Sequence, residues 1–233
     1  MMNPPKPIST MRTAALVLAV LLAGAMTARA DSLVTSRPAG TDSVDWSQLG
    51  ADGVGVPNPF PFTTTDGVAG IGTYANPGNS YLYTGKVGGV KVQGTDWAGN
   101  FSDGDVLNWT QNSGPLTLTF PSETYTEIGA QIDADYYGAF VAQICDENGC
   151  QTETGDSNNA SGGATFIGID SSSPINWVTF SLESNSGGFP QDFAINEVTL
   201  DGGKAISPEP GSLLLLGTGL VGLAGALRRK LAR

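Results

Sequence analysis

The chain has no histidine, which removes the Ser-His-Asp and Cys-His constellations and the commonest metal ligand together. Cysteine is almost as scarce, with Cys145 and Cys150 alone among 233 residues. Their spacing is not Cys-x-x-Cys and no second pair exists, so neither a dithiol redox site nor a zinc site is supported. Positive charge is thin: between Asp31 and Ser207 only Arg37, Lys86, Lys91 and Lys204 stand against 21 carboxylates, a net charge of −17. A body of that sign repels nucleic acid and anionic lipid, so no nucleic-acid partner is expected. Away from its two ends the sequence also lacks any window with a 3.6-residue apolar period.

What fills the body is 32 glycines for the whole chain with abundant Ser, Thr, Asn and Asp, a composition of turns and strands. Apolar residues alternate at Leu116, Leu118 and Phe120, at Ile128, Ala130 and Ile132, at Phe140, Ala142 and Ile144, and at Val178, Phe180 and Leu182. Each run predicts a strand with one wet face. Phe193 and Ile195 are out of phase with Val198 and Leu200, which predicts a β-bulge near Asn196-Glu197. Tyr81, Tyr83, Val90 and Val92 suggest a pair of strands, Ile167 with Ile169 one more, and the segments 44–49 and 67–74 are weaker candidates. The total is about nine to eleven short strands in one all-β domain over residues 31–203, with a jelly-roll-like β-sandwich as the expected fold. A β-barrel or β-helix is the alternative, and no fixed repeat favours the helix.

Cys145 and Cys150 flank Asp-Glu-Asn-Gly, and Asn148-Gly149 is a hairpin-turn dipeptide. In an exported chain this spacing predicts a structural disulfide across a hairpin.

Without histidine only carboxylate chemistry remains. Asp103 with Asp105, Asp133 with Asp135, and Asp146 with Glu147 are close pairs of the kind that hydrolyse glycosides. Asp103-Gly104-Asp105 reads first as a turn and Asp133-Ala134-Asp135 as a strand end, so no catalytic residue is assigned. Among the aromatics, Trp46 and Trp177 sit in apolar strand-like surroundings and read as core, with Tyr136 and Tyr137 left as further stacking candidates. Trp97 and Trp109 are set apart from the core tryptophans. Trp97 lies in the loop-like stretch 94–105 and is the candidate for an exposed glycan contact.

Both ends are targeting segments. Lys6 and Arg12 precede an apolar stretch from Ala14 to Ala25, and Ala28-Arg29-Ala30 is a small-x-small cleavage site. Residues 1–30 therefore read as a signal peptide removed by signal peptidase. At the other end, Pro208-Glu209-Pro210 is followed by an uncharged run over 211–227 and then by Arg228, Arg229, Lys230 and Arg233. At 1.5 Å per residue the run reaches roughly 25 Å, the short end of a transmembrane helix. The basic cluster after it predicts a cytoplasmic C-terminus and an exported body.

This order of parts resembles the PEP-CTERM sorting signal of Gram-negative bacteria. The resemblance implies an exosortase-like sorting protease as partner, transient anchoring in the inner membrane through the segment 204–233, release to the cell surface or matrix, and a link to exopolysaccharide. Trp97-Ala-Gly-Asn-Phe101, Gly114-Pro-Leu-Thr-Leu-Thr-Phe120 and Asp192-Phe-Ala-Ile-Asn196 are similar to β-rich bodies that carry such tails. Residues 191–200 resemble the last strand of jelly-roll carbohydrate-binding modules, which implies Asp192, Asn196 and Glu197 as calcium candidates and no other cofactor. The expectation is an exported, non-enzymatic surface or matrix protein. A carbohydrate-binding module is the alternative, followed by a carboxylate-based glycoside hydrolase.

Overall fold

The structure is a computed structural model that describes residues 31–40, 42–76, 88–95, 97, 99–121, 125–158, 163–186 and 191–202. The signal peptide, Tyr81 and Tyr83, and the tail with Pro208, Glu209 and Pro210 lie outside these residues. The described part is all-β, with fifteen strands and one 3-10 turn.

The larger sheet contains β1 (Ser32–Val34), β2 (Asp42–Val44), β3 (Gly55–Val56), β6 (Gly88–Val92), β7 (Val106–Trp109), β9 (Tyr125–Ala134), β12 (Thr165–Ile175), β14 (Phe193–Ile195) and β15 (Val198–Asp201). The smaller contains β4 (Phe60–Thr63), β5 (Ala69–Tyr74), β8 (Leu116–Thr119), β10 (Gly138–Cys145), β11 (Cys150–Ser157) and β13 (Trp177–Asn185). The larger runs β1-β12-β9-β14-β7-β6-β3, with β15 also on β9 and β2 beside β15; the smaller runs β11-β10-β13-β8-β5-β4. Every ladder is antiparallel, and four of them nest: β10 with β11, β9 with β12, β8 with β13 and β7 with β14.

The alternating runs form the strands they predict, and their apolar members turn into one core. Ile128, Ala130, Ile132, Ile167, Ile169, Phe193 and Ile195 come from the larger sheet; Leu116, Leu118, Phe140, Ala142, Ile144, Val178, Phe180 and Leu182 come from the smaller. Burial of this many apolar side chains, the larger ones contributing about 1.5–3 kcal/mol each, is the main force holding the sheets together. Aromatic edges fill one end: Trp46 lies 6.4 Å from Phe60 and 6.5 Å from Phe62, and Phe120 lies 5.0 Å from Tyr125, all near-perpendicular. The inward positions of β5 before Tyr74 are Gly70 and Gly72, and the rings of Phe62 and Phe60 lie where their Cβ atoms would be.

The predicted bulge is present. Ile195 pairs with Ile132 on β9 whereas Thr199 pairs with Gly129, a shift of one residue across Asn196-Glu197. That extra residue lets Val198 and Leu200 face inward together with Phe193 and Ile195, and all four are fully buried.

Three expectations need correction. Residues 44–49 are not one strand: β2 stops at Val44, and Asp45 accepts from the Ser47 N–H at 2.8 Å, opening the 3-10 turn Trp46–Leu49. Trp177 is only half-buried, because Val178 takes the inward phase of β13 and turns its neighbour out. The strands also exceed the expected number, since β1, β3, β4 and β7 are two to four residues long, too short to declare a period.

Cys145 and Cys150 are cross-strand partners closing the β10–β11 hairpin, and they form a disulfide with Cα atoms 4.0 Å apart. Asp146 shapes the turn by accepting from the Asn148 and Gly149 N–H groups at 2.8 and 3.1 Å. Because the bridged loop is short, removing both sulfurs with Cys145→Ser and Cys150→Ser costs about 2 kcal/mol or less. A thermal melt of the double variant is expected to show a modest fall with the fold intact by circular dichroism, and loss of folding would refute that limited role.

Candidate functional site on the outer face of the larger sheet

From Glu127 to Asp133 the odd-numbered residues of β9 and their cross-strand partners point away from the core, so the outer face of the larger sheet can be read from register. One row is Gly89, Trp109, Ala194 and Asp133 across β6, β7, β14 and β9. The β6–β7 connection folds over this row as a strap. It is tied at its base by Gln93 N–H to Asp105 O at 3.0 Å and Gly104 N–H to Gln93 O at 3.2 Å. A second apolar cluster, Trp97, Phe101, Leu107, Ala164 and Ala194 with Trp109 against it, holds the strap down.

Trp97 is therefore not the exposed glycan platform expected. Its side chain is only 7% exposed and packs edge-on against Trp109, with ring centroids 6.0 Å apart. The apolar rings find cover on the outer face of the sheet, which a loop-like composition does not reveal. Trp109 ends a strand. Its Nε1–H donates to Asp192 Oδ1 at 2.7 Å, and Lys91 Nζ lies 4.9 Å above its ring. Among the described residues the exposed aromatics are Tyr136 and Tyr137, in the turn from β9 to β10.

The carboxylates divide by environment. Asp133 is fully buried under the strap. Its oxygens accept at 3.4 Å from the Asn100 N–H, Asn100 Nδ2 and Ser157 Oγ. Burial pushes its carboxyl up to about 6, against the pull of these weak donors. Asp192, 8% exposed, is pushed up to about 7, first by burial and then by the negative charge of Asp135. Asp135 itself is raised by burial, with Lys91 acting in the opposite direction. Asp42 is the contrast: burial raises it too, but the Asp66 N–H, the hydroxyls of Thr64, Thr65 and Tyr125 outweigh that and hold it below the ordinary range. Asp103 sits in an exposed turn, and Asp146 and Glu147 serve the hairpin, the latter accepting from the Asn176 N–H and Nδ2 at 2.9 Å.

The calcium candidates are each engaged elsewhere. Asp192 holds Trp109; Asn196 donates through Nδ2 to Gln131 Oε1 at 2.7 Å and Asp105 Oδ2 at 3.2 Å; Glu197 pairs with Arg37. Among the described residues no group of three or more carboxylates gathers as a metal site. The bulge instead borders a cleft of about 250 Å³ whose walls include Arg37, Gln131, Phe166 and Thr199, none of them marked by a sequence motif. The out-of-phase apolar residues at 193–200 and the candidates Asn196 and Glu197 were the sequence's pointers to this place.

Residues 208–230 match the PEP-CTERM protein-sorting motif. The chain thus carries a PEP-CTERM sorting motif at its C-terminal end, which implies export and sorting by exosortase through a membrane-associated precursor. Comparison with curated proteins and with solved structures gives no match. Among the described residues no helix is long and apolar enough to cross a membrane, and the run 211–227 lies outside them.

The buried carboxyls set a pH dependence. A group raised in the folded state stabilises fully below its unfolded pKa, near the ordinary 3.8, and loses that contribution as pH rises through its folded value, about 6 for Asp133 and about 7 for Asp192. Stability is expected to fall between about pH 4 and pH 7, and Asp133→Asn should recover of order 1–3 kcal/mol at pH 8. Chemical denaturation at pH 4.5 and pH 8 measures it. An unchanged difference between the two pH values in the variant would show that Asp133 is not a source.

Proposed function

We propose that the chain is a non-enzymatic protein of the cell surface or extracellular matrix, delivered by its sorting tail and working in the exopolysaccharide layer. The observation that carries this reading is the PEP-CTERM motif at residues 208–230, placed behind a soluble-sized acidic β body. The Ala28-Arg29-Ala30 site at the other end is consistent with the same route.

The β body fits a jelly roll. Its nested ladders, β7 with β14, β8 with β13, β9 with β12 and β10 with β11, are those of one long hairpin rolled so that alternate pairs fall in different sheets. Such a scaffold carries many functions, so the site must argue the rest. Support for a non-catalytic role comes from how the carboxylates are used. Asp133 is sealed under the strap, Asp192 anchors Trp109, Asp105 holds Asn196, Asp146 builds a turn and Glu147 ties that turn to Asn176. A carbohydrate-binding reading shifts from Trp97 to the cleft beside the bulge.

Intact-mass measurement of the secreted protein from a host with an exosortase tests the sorting. The expected mass begins at Asp31 and lacks the residues after the Pro208-Glu209-Pro210 region. A secreted or surface form that retains 213–233 would reduce the tail to a simple anchor.

A further inference from the structure

The cleft beside the bulge lies between β9, β12 and the β14–β15 junction, with Arg37, Gln131, Phe166, Asn196, Glu197 and Thr199 around it. Its shape follows from register. Phe166 is paired with Gln131, and the next outward row is Gly168 with Gly129, then Thr199. Two glycines side by side leave the sheet surface bare, and the Phe166 ring lies over it. A Cβ on Gly129 would fall 2.6 Å from Phe166 Cζ and one on Gly168 3.3 Å from Cε1. The aromatic ring is thereby packed against the backbone of the two glycines.

Around this plate the polar groups are fixed in place. Asn196 accepts from the Gln131 N–H at 3.0 Å and donates to Gln131 Oε1 at 2.7 Å, while Gln131 Nε2 donates to Ala164 O at 3.3 Å. The bulge that sets Asn196 thus sets both amides. Arg37 and Glu197 pair at the rim, presenting guanidinium donors and carboxylate acceptors together. Thr199 is 2% exposed, and its Oγ1 is buried with no hydrogen-bond partner. A buried hydroxyl left unpaired costs about 1–3 kcal/mol, so Thr199 is an under-satisfied residue in the cleft wall.

The ligand class follows from size and charge. The volume of about 250 Å³ is below the roughly 300–1,000 Å³ of drug-sized pockets, so one six-membered ring fits. The rim ion pair cancels its own charge, and the strongly acidic body disfavours an anion. An aromatic plate, two preset amides and a mixed donor-acceptor rim suit a molecule with one C–H face and an edge of hydroxyls. We propose that this cleft binds a single neutral pyranose unit, free or within a polysaccharide. The proposal gives the matrix reading a ligand, while resting on cleft geometry that does not depend on how the tail is processed.

Saturation-transfer NMR on the purified secreted protein tests it, with methyl α-glucopyranoside, methyl α-mannopyranoside and methyl β-galactopyranoside as probes and glucuronate as the anionic counterpart. At least one neutral pyranoside is expected to receive saturation at its ring protons, with millimolar affinity. Phe166→Ala is expected to weaken that binding about tenfold, consistent with loss of an aromatic stacking contact. Arg37→Met, at an exposed position that folding tolerates, is expected to weaken it at least threefold, and Trp97→Phe to leave it unchanged. If Phe166→Ala does not fold, Arg37→Met decides alone. No transfer to any neutral probe, preference for glucuronate, or binding indifferent to the folded cleft variants overturns the proposal. Failure here with correct tail processing would leave the sorting intact and refute the ligand alone.

Discussion

Side chains on a strand alternate with period two, so Phe193, Ile195, Val198 and Leu200 can all face the core only if one residue is added between the two halves. The bulge at Asn196-Glu197 is that residue, and much of the structure converges on it. Its backbone carbonyl at Asn196 accepts from Trp46 Nε1 at 2.7 Å, tying the aromatic end of the core to the last ladder. Its side chains reach outward to Gln131, Asp105 and Arg37. One irregularity therefore serves both faces of the larger sheet: inward it completes the hydrophobic layer, and outward it builds the wall of a cleft.

The same sheet shows how differently two buried carboxylates can be treated. Asp42 lies under Tyr125 and a turn that aims N–H and hydroxyl donors at it, with distances of 2.8–2.9 Å. Its charge is stabilised, and it joins β2 to the β4–β5 turn. Asp133 lies under the strap, where Asn100 N–H and Nδ2, with Ser157 Oγ from β11, stand at 3.4 Å, too long to replace lost hydration. Trp97 Nε1 and Asn100 Oδ1 are buried beside it without partners. Apolar contacts of Trp97 and Phe101 hold the strap down together with polar ones such as Ala164 N–H to Asn100 O at 3.1 Å, so a tryptophan in a polar loop is covered.

Legibility in the sequence tracked the length of each pattern. The runs at 116–120, 128–132, 140–144 and 178–182 were readable because three inward residues establish a phase. The bulge was readable because two phases met out of step within eight residues. β3 and β7 were not, being two and four residues long, and Trp109 was set apart from the core although it ends a strand. The hairpin and its bridge were plain from Asn148-Gly149 between the only cysteines. The cleft was hidden because its parts, Arg37, Phe166 and Thr199, are far apart in the chain and meet only through the pairing of β12, β9 and β15. The tail, by contrast, is a linear motif and needed no fold to be read.

The dependence of core and cleft on one inserted residue has a direct measure: equilibrium denaturation of a variant lacking Glu197. Without that residue β15 either keeps its pairing on β9 and strains the junction, or slips and turns Val198 and Leu200 to solvent. Burying or exposing those two side chains alone is worth about 3–6 kcal/mol, a large fraction of a domain's stability. The expected result is loss of the cooperative transition, or a midpoint lowered by that amount, with near-ultraviolet circular dichroism of Trp46 disturbed. A deletion variant that unfolds cooperatively at the parent midpoint would contradict the account.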